Sequence, residues 1–402
     1  MFDNLSNQTD QRRAYLDYAA ATPMDPDVVA AMMPYFSERF ENPSAPYAAA
    51  RAVRADYEAA RATLARLMGA RPGNITLTAG ATEANNLAFA ATDGPVVTSV
   101  IEHESVLACA EGRGGAVLGV DGEGFVSPAE LAAVLTPEVT LVSVSLANGE
   151  IGTVQPVREL ARVVAAERRR RLEMGESTPL YLHTDASQAL GSRTIAVSSL
   201  GADLVTLSAA KIYGPKQVGL LWAADGVRLR ALVRGGGQEG GVRSGTEDVA
   251  GVIGFARAME LADERRAEER GRLERLRGRF LRALAGDFPW MRVSGPRGAK
   301  RRLPGLAHIS FPGLEARRLV VLLERRGVSV GTGSACAASK MRVSHVLAAI
   351  GMDERAAAAS LRISLGRPTT EEDVDYAAAA IAEVVREECA RLGVDVATGD
   401  PA

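Results

Sequence analysis

Two neighbouring stretches decide how the chain is read: Leu180-Tyr-Leu-His-Thr-Asp-Ala-Ser-Gln188 and Leu204-Val-Thr-Leu-Ser-Ala-Ala-Lys-Ile-Tyr-Gly-Pro-Lys216. Each opens with a short apolar or β-branched run, the pattern of a strand buried on both faces, and each closes on polar residues. Working outward, the same alternation of short apolar runs with amphipathic stretches extends from about residue 75 to 225. Strands are expected at 75–78, 96–100, 116–120, 139–145, 180–184, 204–208 and 219–223. This predicts an α/β fold, a large domain with a mainly parallel seven-stranded sheet flanked by helices, over residues 14–262. Ser127-Pro128-Ala129-Glu130 reads as an N-cap, a first-turn proline and a capping-box glutamate.

Beyond Thr246 the pattern changes, and 262–282 is so rich in Arg and Glu that a long solvated helix is expected there. Short strands at 307–311, 328–330 and 361–364, with a last helix at 371–391, give a smaller α+β C-terminal domain over 263–402, joined by the N-terminal segment 1–13.

Composition narrows the function classes. With 402 residues, 47% of them apolar, the chain can bury a full core. Lys plus Arg (47) nearly balance Asp plus Glu (49), which gives no electrostatic reason to expect nucleic acid or a membrane surface as partner. The N-terminus has no apolar core for a signal peptide, and no apolar run is long enough to span a bilayer, so a cytoplasmic location is expected. Three widely spaced cysteines, Cys109, Cys336 and Cys389, argue against a disulfide framework and leave room for one reactive thiol.

Asp185 and Lys211 fall at the carboxyl ends of neighbouring strands, the edge where open α/β sheets bind ligands. Alone, the aspartate reads as a satisfied structural group and the lysine as solvated surface. Together they suggest pyridoxal phosphate, which needs an amine for a Schiff base and an acidic partner for its pyridine nitrogen. Gly80-Ala81-Thr82 opens a helix after a strand, where N–H groups and the Thr82 hydroxyl could bind a phosphate, although capping alone also selects such residues. His103 directly follows another strand, and Cys336 sits among small residues that would leave a thiolate accessible. Cys109 and Cys389 fall in expected helices and read as small packing residues. Arg362 interrupts an apolar strand, either facing solvent or clamping a carboxylate.

The chain resembles the cysteine desulfurases that feed iron–sulfur cluster assembly, fold type I enzymes of the class V aminotransferase superfamily. The matching segments run from Tyr15-Leu-Asp-Tyr-Ala-Ala-Ala-Thr-Pro23 to Arg362-Ile-Ser-Leu-Gly-Arg367. Between them lie Asn42-Pro-Ser44, Thr78-Ala-Gly-Ala-Thr-Glu-Ala-Asn-Asn86, Glu102-His103, Glu150-Ile-Gly-Thr-Val-Gln-Pro156, Asp185-Ala-Ser-Gln188, Lys211-Ile-Tyr-Gly-Pro-Lys216, Gly235-Gly-Gly-Gln-Glu239, Arg243-Ser-Gly-Thr246 and Gly333-Ser-Ala-Cys336.

The resemblance implies that Lys211 carries the cofactor, Asp185 pairs with its pyridine nitrogen, Gln188 contacts the ring hydroxyl and His103 stacks on the ring and moves protons. Ala81, Thr82 and Ser208 would hold the phosphate, and Thr246 would reach the phosphate of the other subunit in a homodimer. Arg362, with Asn42 beside it, would take the carboxylate of L-cysteine. Cys336 would receive the sulfur as a persulfide and pass it to a cluster scaffold or thiolation protein. The chain departs from the family at Gly149, where a cofactor-contacting Asn is usual, at Ala210, where His is usual, and at Tyr47, also usually His. A selenocysteine lyase, aminotransferase or epimerase of the same superfamily remains an alternative, as does a homologue that no longer turns over.

Overall fold

The computed structural model describes residues 12–332 and 344–400. Twelve strands in these residues are named in chain order: β1 Ala14–Tyr15, β2 Ile75–Thr78, β3 Val96–Ser99, β4 Gly115–Leu118, β5 Leu141–Ser143, β6 Tyr181–Asp185, β7 Leu204–Ser208, β8 Gly219–Ala223, β9 Arg292–Ser294, β10 Leu306–Ser310, β11 Val328–Ser329 and β12 Ser360–Ser364. Seven form one sheet in the order β2-β8-β7-β6-β5-β3-β4. Its strands are parallel except β8, which runs antiparallel to both β2 and β7. β2, β7 and β8 coincide with the expected segments, and the other four are offset or shorter at one or both ends.

The order matters because β6 and β7 are parallel neighbours, with Asp185 opposite Thr206, so their carboxyl ends open on the same edge. Helix Ala81–Phe89 follows β2 and buries Ala84, Leu87 and Phe89 against Leu141, Leu204 and Leu221 of the sheet. Ser127 caps helix Pro128–Val134 by accepting from the Glu130 N–H, as expected. The other half of the capping box differs, because the Glu130 carboxylate accepts from the Gly119 N–H at 3.0 Å instead. The reciprocal arrangement stands at the last helix, between Thr370 and Asp373.

Residues 21–148 and 153–267 form one unit; those up to 20, 149–152 and from 268 onward form the other. The smaller unit has the antiparallel sheet β12-β10-β9 and the parallel pair β1-β11. β1 and β9 escaped the sequence reading. The Arg/Glu-rich helix starts earlier than expected, spanning Val249–Asp287. Its Phe280 and Leu284, with Phe288 just beyond its end, join Phe311, Leu361 and Val374 in the core of the smaller unit.

Arginines satisfy backbone carbonyls that no strand or helix pairs. Arg113 donates to Phe89, Thr92 and Gly94, Arg171 to Thr136, Val139 and Thr178, and Arg272 to Gly366, Arg367 and Thr369. A planar guanidinium with five donors suits this task better than an ammonium. Among the described residues no helix is long and apolar enough to cross a membrane.

Candidate active site

In the larger unit, Asp185 ends β6 with both oxygens occupied. Oδ1 accepts from the Ser187 N–H and Oδ2 from Asn85 Nδ2, both at 2.9 Å. Asn85 is buried, and its Nδ2 also donates to Ser105 Oγ at 2.9 Å. Ser105 in turn meets His103, its Oγ at 2.9 Å and its backbone N–H at 3.1 Å from Nδ1. A backbone donor on Nδ1 makes that nitrogen an acceptor, so the neutral ring carries its proton on Nε2. His103 and Asp185, predicted separately, are thus joined through Asn85 and Ser105.

Lys211 closes the short 3-10 turn Ala209–Lys211 that follows β7. Thr22 pins this loop: its hydroxyl donates to the Ala210 carbonyl at 3.0 Å and accepts from the Tyr213 N–H at 2.9 Å. Tyr213 has φ of 64°, and Gly214 packs where a Cβ would come within 2.8 Å of the Ala209 carbonyl oxygen. Among the described residues the other lysine at this edge, Lys216, donates to the Thr22 carbonyl at 2.6 Å. Lys211 is the amine at the strand end, and Gln188 is half-buried just beyond Asp185.

Helix Ala81–Phe89 begins at Gly80, whose φ of 112° suits glycine, and no side chain caps its first turn. Its first N–H groups and the Thr82 hydroxyl could hold an anion there. Gly219 lies so close that a Cβ there would come 2.7 Å from the Gly80 carbonyl carbon. Ser208 ends β7 and is buried. Glu83 accepts from the Ala79 N–H at 2.7 Å and from Arg243 Nε at 3.0 Å, while Thr246 is exposed.

Two further buried groups lie close to this network. Burial pushes the Glu102 carboxyl up to about 7, against the opposing pull of the Ser145 hydroxyl and N–H that it accepts from. Burial pulls His183 down to about 4, so its ring is neutral between Ser143 Oγ at 2.8 Å and Thr206 Oγ1 at 3.0 Å. Asn42 is exposed, and its Oδ1 accepts from the Ser44 N–H at 2.9 Å.

In the smaller unit Arg362 is buried, so the solvent-facing alternative is excluded. Its Nη2 lies 2.7 Å from Asp17 Oδ1 and its Nη1 3.3 Å from the Gly149 carbonyl. His308, paired across β10 and β12 with Arg362, is pushed down to about 3 by burial, then by Arg362 and Arg302. Cys336 lies outside the described residues. Cys109 is half-buried and Cys389 buried, and burial raises both thiols, which disfavours the thiolate.

The sequence reading gave no role to Asn85, Ser105 or Asp17. A usable signal was present for Asn85, because two consecutive asparagines inside a helix are unfavourable by propensity and call for a tertiary reason.

The aminotransferase class-V family profile matches residues 14–377. Over 388 residues the chain is 38% identical to the cysteine desulfurase IscS of Clostridium botulinum (strain Kyoto / Type A2), covering 94% of this chain and 95% of that protein. It is 39% identical over 378 residues to the cysteine desulfurase IscS of Dictyoglomus turgidum, covering 91% and 93%. A solved NifS-like protein superimposes with a TM-score of 0.84 at 33% identity, over 94% of this chain and all of that one. The chain belongs to the class-V aminotransferase family, and within it to the cysteine desulfurases.

Proposed function

We propose that this protein is a pyridoxal-phosphate-dependent cysteine desulfurase, converting L-cysteine to L-alanine and leaving the sulfur on Cys336. The observation that carries this is Asp185, with both oxygens held by donors, at the end of β6 beside the strand that leads into Lys211. The residues present fit the cofactor: an uncapped helix N-terminus with Thr82 and Ser208 for the phosphate, a fixed carboxylate for the pyridine nitrogen, and one amine.

When bound, the cofactor supplies an electron sink for the substrate α-carbon. Lys211 would hold it through Nζ, Asp185 would keep the proton on its ring nitrogen, and Gln188 would serve the ring hydroxyl. His103, with Nδ1 engaged by Ser105, keeps Nε2 for proton transfer. Arg362 and Asn42 are assigned to the substrate carboxylate. The Cys336 thiolate attacks the substrate sulfur; the carbon–sulfur bond breaks, a sulfur–sulfur bond forms, and the substrate β-carbon is protonated to give alanine.

A homodimer suits the exposed Thr246 and the exposed Met33, Phe36, Phe40 and Tyr47. A cytoplasmic enzyme handing persulfide sulfur to a cluster scaffold or thiolation protein completes the reading.

The test is the visible spectrum of the purified protein. The parent should be yellow and respond to L-cysteine, and Lys211→Ala should lose the lysine-bound absorption. Cys336→Ala should keep the colour and its response to cysteine while releasing almost no sulfide. Parent-rate alanine formation by Cys336→Ala would favour a lyase instead.

A further inference from the structure

The turn that carries Lys211 is held from outside by a segment far earlier in the chain. Thr22 is buried, and its one hydroxyl bonds the backbone on both sides of the lysine: it donates to the Ala210 carbonyl at 3.0 Å and accepts from the Tyr213 N–H at 2.9 Å. Three positions on, the Asp25 N–H donates to the Tyr213 carbonyl at 2.9 Å. Asp25 is itself fixed, its Oδ1 accepting from the Asp27 N–H at 3.0 Å and its Oδ2 lying 3.2 Å from Arg265 Nη1.

This clamp bears on the one strained residue beside the lysine. Tyr213 has φ of 64°, a left-handed conformation unfavourable to a residue with a side chain, and both its N–H and its carbonyl are engaged by residues 22–25. Within the turn the Ala209 carbonyl accepts from the Ile212 N–H at 3.1 Å and the Gly214 N–H at 3.0 Å. Those bonds involve neither the Ala210 carbonyl nor the Tyr213 N–H, the two groups that Thr22 takes. A lysine amine rides on a flexible four-carbon stem, so what a protein can fix is the backbone from which the stem starts.

We propose that Thr22 is a positioning residue for the Schiff-base lysine, its single buried hydroxyl fixing the backbone on either side of Lys211 and so setting where the amine meets the aldehyde of pyridoxal phosphate. This rests on the desulfurase reading, which supplies the aldehyde. The Lys211 amine condenses with that aldehyde, forming a carbon–nitrogen double bond and releasing one water. For an aldehyde already docked by its phosphate, the extent of this condensation depends on how closely the amine is presented.

The experiment titrates apo-protein with pyridoxal phosphate in a cycle of four proteins: the parent, Thr22→Val, Lys211→Ala and the double variant. Protein fluorescence follows binding whether or not the lysine is linked, and visible absorption reports the linkage. Valine keeps the shape of threonine and removes the hydroxyl. Thr22→Val should weaken binding by about tenfold or more where Lys211 is present, and by no more than about twofold in Lys211→Ala. Thr22→Ser, which keeps the hydroxyl, should bind like the parent.

A hydroxyl that only stabilises the fold would weaken binding equally with and without Lys211. That result, no loss in Thr22→Val, or a serine variant as weak as the valine one would each overturn the inference and leave the desulfurase reading standing. Should the valine variant not fold, Thr22→Ala enters the same cycle under the same criteria. A parent protein with no lysine-bound absorption would overturn that reading, and this inference with it.

Discussion

Ala210 sits in the lysine turn where the family usually has histidine, and its carbonyl accepts from the Thr22 hydroxyl. The backbone there is already fixed, so a side chain can be added without asking the turn to reorganise. One restored hydrogen bond to a charged phosphate is worth roughly 1.5–3 kcal/mol, or about ten- to a hundredfold in affinity. Ala210→His should therefore bind pyridoxal phosphate more tightly than the parent, scored by titrating apo-protein. Equal affinities would mean that the helix N-terminus, Thr82 and Ser208 already suffice. At this scale the sequence was partly legible. Lys211, Asp185 and His103 stand at strand ends, which local pattern marks. The partners Asn85 and Asp17 lie far from them in sequence, 100 residues from Asp185 and 345 from Arg362, and no local rule brings them together.

Strand β8 is sensitive to a single change, because its first residue packs against the turn at Gly80. At Gly219 an added Cβ would meet three backbone atoms, the Gly80 carbonyl carbon and Leu207 oxygen at 2.7 Å and Gly80 Cα at 2.8 Å. Backbone cannot swing aside as a side chain can. Gly219→Ala should cost about 1–3 kcal/mol of stability and also weaken cofactor binding, by shifting the helix N-terminus. Thermal melting and cofactor titration read the two effects separately; neither changing would show that β8 yields freely. The same strand shows why elements were found so unevenly. β2, β7 and β8 are four or five buried residues between strong turn signals, whereas β1 has only two residues and pairs with β11 more than three hundred positions away. Two residues carry no periodicity. The early start of helix Val249–Asp287 was missed for a different reason: its first turns are apolar and buried, so the charge pattern that marks 262–282 is missing there.

Across the larger unit, two buried groups respond to pH with opposite sign. His183 is held down from 6.5 to about 4, so its neutral form favours the folded state above pH 6.5 and this contribution is lost as pH falls toward 4. Glu102 is raised from 4.5 to about 7, so its protonated form favours the folded state at low pH and this contribution is lost as pH rises to 7. Between pH 4.5 and 6.5 the two slopes cancel. Glu102→Gln removes one of them. The variant should gain on the parent as pH rises from 4.5 to 7, by up to about 3 kcal/mol, and should lose stability steadily on acidification below 6.5. Melting curves of apo-protein at pH 5 to 8 check this, and parallel curves for the two proteins would refute it.

The carbonyl-binding arginines have a chemical counterpart. Of 47 basic residues only four are lysines: Lys211, Lys216, Lys300 and Lys340. Guanidinium groups form no Schiff base under ordinary conditions, so a chain that gives its structural cations to arginine offers an aldehyde few amines to react with. Of the two lysines in the sheet-edge loop, Lys216 is tied to the Thr22 carbonyl. If Lys211 carries pyridoxal phosphate as proposed, the cofactor aldehyde would meet few competing amines on its way there, and scarcity of alternatives would add to the selectivity of the site.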